Sequence, residues 1–177
     1  GGGSSDAAYM IRLIDERFRL NIGKAEMERY AAKLGADCAF FISGEPVFAT
    51  GIGNVFSPIK GIKETLKGHY ITIIKPNVAV STKEAYANII PHKPKICCRD
   101  IIKQPIETWR DLLVNDFEES VFKLHPEVEN IKNKLYEQGA IYAAMSGSGS
   151  SLFAIFKAEP QHLDSCFTDC FTFSAQL

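Results

Sequence analysis

Apolar side chains recur at steps of three and four from Ala7 through Met10, Ile11 and Ile14 to Phe18. That stripe predicts an amphipathic helix beginning near Asp6, with Ser4 or Ser5 as its cap. A second helix is expected from about Lys24 to Leu34, stopping at Gly35. Ala39 to Ile42 are apolar and lead into a turn over Ser43-Gly44-Glu45-Pro46, after which Val47 to Thr50 reads as a strand broken at Gly51-Ile52-Gly53. Ser57-Pro58, Gly61 and the basic turn Lys67-Gly68 mark a crossing between domains, so residues 1–66 form one domain and 67–177 another. In the second, Tyr70 to Ile74 is a strand of β-branched residues ended by Lys75-Pro76-Asn77. Ser81 and Glu84 have the spacing of a capping box, so a helix starts there. Pro91 to Arg99 is polar and reads as loop. Pro105 opens a long helix from Ile106 to Lys123, and Pro126 opens another over Glu127 to Gln138, closed by Gly139. Ile141 to Met145 and Leu152 to Lys157 are strands flanking a Gly/Ser loop, and Phe171 to Leu177 is a last strand. The fold class is α+β, with two Gly-rich loops far apart in the chain.

Composition narrows the function classes. Of the 177 residues, 46% are hydrophobic and 23% charged, enough apolar material for a buried core. Twenty basic and 21 acidic residues leave a net charge of -1, with no Lys/Arg run, so nucleic acid is not a predicted partner. No apolar stretch reaches the length of a membrane span, and no membrane partner is expected. The five cysteines include the adjacent Cys97 and Cys98 but no second pair at zinc-ligand spacing, and no metal ligand is assigned. His69, His92, His125 and His162 fall in loops or at element ends and form no triad with a Ser or Cys.

The chemistry lies in the loops. Gly1-Gly2-Gly3-Ser4-Ser5 precedes the first predicted helix. Glycines let the backbone approach a ligand, and a helix start adds free N–H donors and the positive end of a dipole, together a site for a phosphate chain. The same five residues also read as a flexible linker. They are not a Walker A loop, since no Gly-Lys-Ser/Thr follows. The second loop, Met145-Ser146-Gly147-Ser148-Gly149-Ser150-Ser151, is either a hairpin needing positive-φ turns or a loop of small residues that packs on a backbone or a phosphate.

Taken together, the two loops resemble those of the GHMP kinase superfamily. Gly1 to Ala8 is similar to the end of its Gly-rich phosphate loop running into a helix, and Ser146-Gly147-Ser148-Gly149 with Phe153 to its late Ser-Gly-Ser-Gly loop and Phe-containing strand. Three further stretches resemble the 4-diphosphocytidyl-2-C-methyl-D-erythritol kinase branch. Leu34 to Phe41 is similar to its Gly-Ala-Asp-Val-Pro-Phe-Phe stretch, Phe48 to Gly53 to its Ala-x-Gly-x-Gly segment, and Asn115-Asp116-Phe117-Glu118 to its Asn-Asp-(Leu/Phe)-Glu motif. Ala39 departs from the branch, which usually has proline there; the change is expected to loosen the turn that holds Asp37.

The resemblance implies a two-domain fold, an incomplete N-terminal α/β domain followed by an α+β domain with an antiparallel sheet. It implies ATP and Mg2+ as cofactors and a small-molecule partner, a cytidine-diphosphate-linked methylerythritol, in the cytoplasmic methylerythritol phosphate pathway of isoprenoid synthesis. Another GHMP kinase activity, of homoserine or mevalonate type, and a non-catalytic nucleotide-binding fragment are the alternatives. By the same resemblance Asp37 is the catalytic group and Gly1, Gly2, Gly3, Ser4 and Ser5 hold the ATP phosphates. Ser146, Gly147, Ser148 and Gly149 support that loop, and Tyr86 stacks on the cytosine ring. On the residues alone, Asp37 is equally a helix cap and Tyr86 a core aromatic. The family carries an earlier segment with an active-site lysine, so the resemblance implies that this chain is a fragment with little turnover of its own and exposed apolar surface on its first domain.

Overall fold

The computed structural model describes residues 2–177 of the chain, in two compact units, Gly1–Lys60 and Gly61–Leu177. The first unit holds α1 (Gly2–Phe18), α2 (Lys24–Leu34), α3 (Cys38–Ser43) and an antiparallel hairpin of β1 (Val47–Thr50) and β2 (Val55–Pro58). Its core is made of small side chains. Ala8, Ala31, Cys38, Ala39 and Ile42 are buried, with Ala7, Ile11, Met27, Phe41 and Phe56 packed around them. Alanines at the contacts bring the three helices close together. Only part of the expected α1 stripe is covered: Ala7 and Ile11 pack on the core, whereas Met10, Ile14 and Phe18 are exposed alongside Tyr9 and Leu13.

Two local features depart from the sequence pattern. Residues 2–5 are the first turn of α1 rather than a loop before it. The Ser5 hydroxyl donates to the Gly2 carbonyl at 2.7 Å, so it bonds within the turn and does not cap it. The segment after Gly53 forms β2, in register with β1 from Val47↔Pro58 to Thr50↔Val55. α2 ends at Gly35 in extended backbone, its N–H on the Ala31 carbonyl at 3.2 Å.

The second unit holds, in order, α4 (Ile62–Leu66), β3 (Tyr70–Pro76), α5 (Thr82–Ala87), α6 (Cys98–Ile101), a 3-10 turn (Ile106–Thr108), α7 (Trp109–Leu112), α8 (Phe117–Leu124), α9 (Pro126–Glu137), β4 (Tyr142–Met145), β5 (Leu152–Phe156), α10 (Leu163–Cys166) and β6 (Cys170–Gln176). The strands form an antiparallel sheet of order β4-β5-β3-β6. Ile74, Met145, Leu152, Ala154 and Phe156 on the sheet pack against Val121 of α8 and Val128 and Leu135 of α9. Burial alternates along β3, with Thr72, Ile74 and Pro76 inward. The buried Thr72 hydroxyl is satisfied across the ladder by Ser174, 2.8 Å away.

The expected helix from Ile106 to Lys123 is broken at residues 113–116. The break is held from both sides. The Tyr142 hydroxyl donates to the Leu113 carbonyl at 2.7 Å, and Asn115 Oδ1 accepts the Phe117 N–H at 3.0 Å. Side chains thus satisfy groups that a continuous helix would pair internally. The loop expected over Pro91 to Arg99 ends sooner, because α6 already includes Arg99. His125 is not a plain surface histidine. Its ring lies between Glu84 of α5, at 3.4 Å, and Glu127 of α9, at 3.5 Å. No helix among the described residues is long and apolar enough to cross a membrane.

Candidate functional site

Asp37 stands at the N-cap of α3 and makes no side-chain cap hydrogen bond. Its carboxylate edges a cavity of about 350 Å³ lined by Phe40, Phe41, Val47, Ala49, Gly53 and Phe56. The ring of Phe40 meets Phe41 edge-on at 5.2 Å and Phe56 at 6.5 Å, which makes the walls apolar and stiff. The hairpin closes the cavity at Gly53, where φ is +88° and an added Cβ would lie 3.9 Å from Asp37 Oδ1. Glycine there meets a backbone demand, since other residues rarely adopt that φ. The turn before Ala39 is hydrogen-bonded and covered. Cys38 N–H donates to Gly35 O at 3.1 Å, and Cys38 and Ala39 are both buried.

The same unit contains the start of α1, where the phosphate-binding candidates lie. The first turn of α1, Gly2 to Ser5, carries N–H groups with no partner within the helix, and it contains no acidic side chain. α1 and α3 share the core of Ala8, Cys38 and Ala39, so the phosphate-binding candidates and Asp37 stand on helices packed together. Gly1 lies outside the described residues. No group of three or more His, Cys, Asp or Glu capable of holding a metal occurs among the described residues.

The remaining sequence candidates belong to the second unit. Tyr86 sits on α5, whose cap forms as expected: Ser81 Oγ accepts the Glu84 N–H at 3.1 Å. Its ring stands nearly perpendicular to Phe117, centroids 4.8 Å apart, and the residue is 62% exposed, so it is not a core aromatic. Ser146 to Gly149 connect β4 to β5. The turn uses positive φ at Gly147 (+55°) and Gly149 (+85°), and an added Cβ on Gly149 would come within 2.6 Å of the buried Met145 Sδ.

Two residues that the sequence marked only as a motif hold this loop. Asn115 Nδ2 donates to the carbonyls of Met145 (2.7 Å) and Gly147 (2.8 Å). Glu118, 7% exposed, accepts the Met145 N–H on Oε1 at 2.7 Å and pairs with Lys132 through Oε2 at 2.6 Å. Burial, with the Glu118 charge adding to it, pushes the neighbouring Tyr142 phenol well above its ordinary range. The spacing of Asn115 and Glu118 was visible in the sequence, but their partner, some 30 residues further along, was not.

Residues 99–165 match the family described as GHMP kinases C terminal. Over 159 residues the chain is 56% identical to a 4-diphosphocytidyl-2-C-methyl-D-erythritol kinase of Bacteroides thetaiotaomicron, covering 90% of this chain and 57% of that protein. A Bacteroides fragilis protein of the same name is 49% identical over 177 residues, 100% of this chain and 64% of the relative. A crystal structure of a 4-(cytidine 5'-diphospho)-2C-methyl-D-erythritol kinase superposes with a TM-score of 0.78 at 24% identity, covering 98% of this chain and 64% of that one, and speaks for the fold. The chain thus spans less than two thirds of the length of these relatives. Residues 99–165 thus belong to the family of GHMP kinase C-terminal domains, and over its length the chain is similar to 4-diphosphocytidyl-2-C-methyl-D-erythritol kinases.

Proposed function

We propose that the protein carrying this chain transfers the γ-phosphoryl group of ATP to a hydroxyl of 4-diphosphocytidyl-2-C-methyl-D-erythritol, the compound in its relatives' name. The observation that carries this reading is the Asp37 carboxylate, left uncommitted at the rim of the apolar cavity instead of capping α3. A kinase of this kind needs a group that takes or orients the hydroxyl proton, and a free carboxylate within reach of the acceptor serves. The acceptor oxygen forms a bond to the γ-phosphorus, the bond to the β,γ-bridging oxygen breaks, ADP leaves, and the proton passes to Asp37. The N–H groups at the start of α1 receive phosphate oxygens, with Ser4 and Ser5 as further donors. Mg2+ arriving with ATP would supply neutralisation of the charge on the transferring group. Tyr86, held by its capped helix yet exposed, offers a face for the cytosine ring.

The test is a coupled assay on the full-length protein with ATP, Mg2+ and either the cytidine-linked alcohol or homoserine. Turnover of the first alone is expected. Asp37→Asn should lower kcat by roughly 10²–10⁴-fold with the melting temperature unchanged, since Asp37 is exposed and makes no cap bond. Turnover of homoserine alone, or an Asp37→Asn protein as active as its parent, overturns the reading.

A further inference from the structure

We infer that His125 is a positioning residue for substrate binding: clasped between Glu84 and Glu127, its ring holds α5 so that Tyr86 stays in place for the alcohol substrate. The inference rests on the role given to Tyr86 above and goes beyond it in naming what holds that residue.

α5 does not hold itself. At 6 residues it is far shorter than an isolated helix that is stable in water, so its place is set by contacts outside it. Its middle residues reach out in different directions. Ala85 is fully buried in the core of the second unit. The Tyr86 ring meets Phe117, the first residue of α8, at 4.8 Å. Glu84 Oε1 lies 3.4 Å from Nε2 of His125, the residue that follows α8. Successive helical residues stand about 100° apart, so Glu84 and Tyr86 leave α5 on nearly opposite sides. One meets α8 at its start and the other just past its end. A rotation of α5 about its axis that shifts Tyr86 on Phe117 therefore also shifts Glu84 on His125.

Glu84 is available because its local task is left undone. In a capping box the glutamate reaches back to the backbone N–H of the capping serine. Here Ser81 Oγ accepts the Glu84 N–H at 3.1 Å, but among the described residues the Glu84 carboxylate makes no return bond and turns to His125 instead. The other ring nitrogen, Nδ1, faces Glu127 Oε1 of α9 at 3.5 Å. A ring that donates from both nitrogens serves both carboxylates, and Glu127 fixes which way Nε2 points. The backbone seats the residue as well: His125 N–H donates to Val121 O at 2.7 Å, and His125 O accepts the Val128 N–H at 3.0 Å. The charges of α8 are engaged elsewhere, Glu119 with Lys123 at 2.8 Å and Glu118 with Lys132 at 2.6 Å. The clasp is half-sheltered, with the His125 side chain 20% and the Glu84 side chain 37% exposed.

The experiment combines amide hydrogen exchange with kinetics on the full-length protein. A pair this open to water has a modest effect: without it, α5 occupies the receiving arrangement for a smaller part of the time. His125→Phe should speed exchange of the Ala85 N–H, bonded to Ser81 O at 3.0 Å, by about 2- to 5-fold. The Ile141 N–H, bonded to Ile155 O at 2.8 Å, should keep its parental rate. The KM for the cytidine-linked alcohol should rise by about 2- to 5-fold, with kcat and the KM for ATP unchanged. Glu84→Ala should match His125→Phe, and the double variant should be no worse than either, because the two side chains form one contact. Glu84→Ala also carries the test if His125→Phe fails to fold. An Ala85 amide that exchanges at the parental rate overturns the inference and leaves the functional reading intact. So does an alcohol KM that stays in place although Tyr86→Ala raises it. If the clasp variants and Tyr86→Ala all leave that KM unmoved, the inference and the role of Tyr86 fall together. The same rise in KM on a different alcohol, with the cytidine-linked one not phosphorylated, supports the clasp and overturns the substrate.

Discussion

Replacing Glu118 by alanine removes two bonds made where water hardly reaches. Glu118 is 7% exposed, and it serves the Met145 N–H at 2.7 Å and the Lys132 ammonium at 2.6 Å. A buried N–H left without an acceptor costs about 1–3 kcal/mol. Breaking a buried ion pair by removing one partner costs about 3–5 kcal/mol, most of it from the stranded charge. The Lys132 side chain retains 16% exposure, so part of that penalty is relieved by water. The total expected for Glu118→Ala is therefore about 3–4 kcal/mol, since the two costs overlap in one side chain. Glu118→Gln keeps an acceptor and the shape, and should cost about 1–2 kcal/mol. A cycle with Lys132→Ala should give a coupling of about 1–2 kcal/mol. The assay is urea unfolding followed by tryptophan fluorescence. The chain has a single tryptophan, Trp109, buried in the second unit with its ring 5.7 Å from that of Tyr142, so the signal reports the unit in question. A Glu118→Ala midpoint within about 0.5 kcal/mol of the parent, the range of ordinary surface changes, would refute the argument, as would a coupling of zero.

Two further outcomes are expected. Tyr86→Ala in the full-length protein should raise the KM for the cytidine-linked alcohol by roughly 5- to 150-fold, the equivalent of about 1–3 kcal/mol of stacking, with the KM for ATP unchanged; an unmoved KM for the alcohol removes Tyr86 from the substrate site. Tyr142 gives a pH dependence: its folded value lies above the unfolded value of about 10, so its contribution is complete below about pH 10 and is lost as pH rises toward the folded value. Unfolding midpoints measured from about pH 8 to about pH 11 should fall at the alkaline end and fall less for Tyr142→Phe, and parallel curves would sink the assignment.

What the sequence made legible was what repeats over short distances. The Ser81 cap, the stop at Gly35, the helix opened by Pro126 and the strands flanking the Gly/Ser loop all depend on residues within a few positions of one another, and all stand in the structure. The misses have a different cause. Gly2 to Ser5 read as loop because glycine and serine disfavour helix interiors, yet they form the first turn of α1, whose remaining length is held by packing of Ala7, Ala8 and Ile11. β2 was passed over because Val55 to Pro58 is too short to show a period, and its pairing with β1 is what makes it a strand. Asp37 was legible as a residue, but its two roles, cap or free carboxylate, were separable only by seeing that the cap bond is not made.

The broken helix shows how a local rule fails for a reason that concerns the loop. From Ile106 to Lys123 the pattern favours one helix, and Leu113 to Asp116 contains no proline or glycine to stop it. Interrupting it leaves the Leu113 carbonyl and the Phe117 N–H without helical partners. Tyr142, from the strand that leads into the Gly/Ser loop, takes the first, and Asn115 takes the second with its own oxygen. Asn115 then still has its amide nitrogen to spend, and it spends both hydrogens on the loop carbonyls. In a continuous helix the Asn115 oxygen would have no Phe117 N–H to cap, because that N–H would bond four residues back. Nor would Leu113 offer its carbonyl to Tyr142. The break therefore frees the groups through which α7, α8, β4 and the loop are tied together. On this account the Asn-Asp-Phe-Glu motif encodes the interruption as well as the grip, and its two outer residues act on the same strand end from opposite polarities: Asn115 donates to the Met145 carbonyl, and Glu118 accepts from the Met145 N–H.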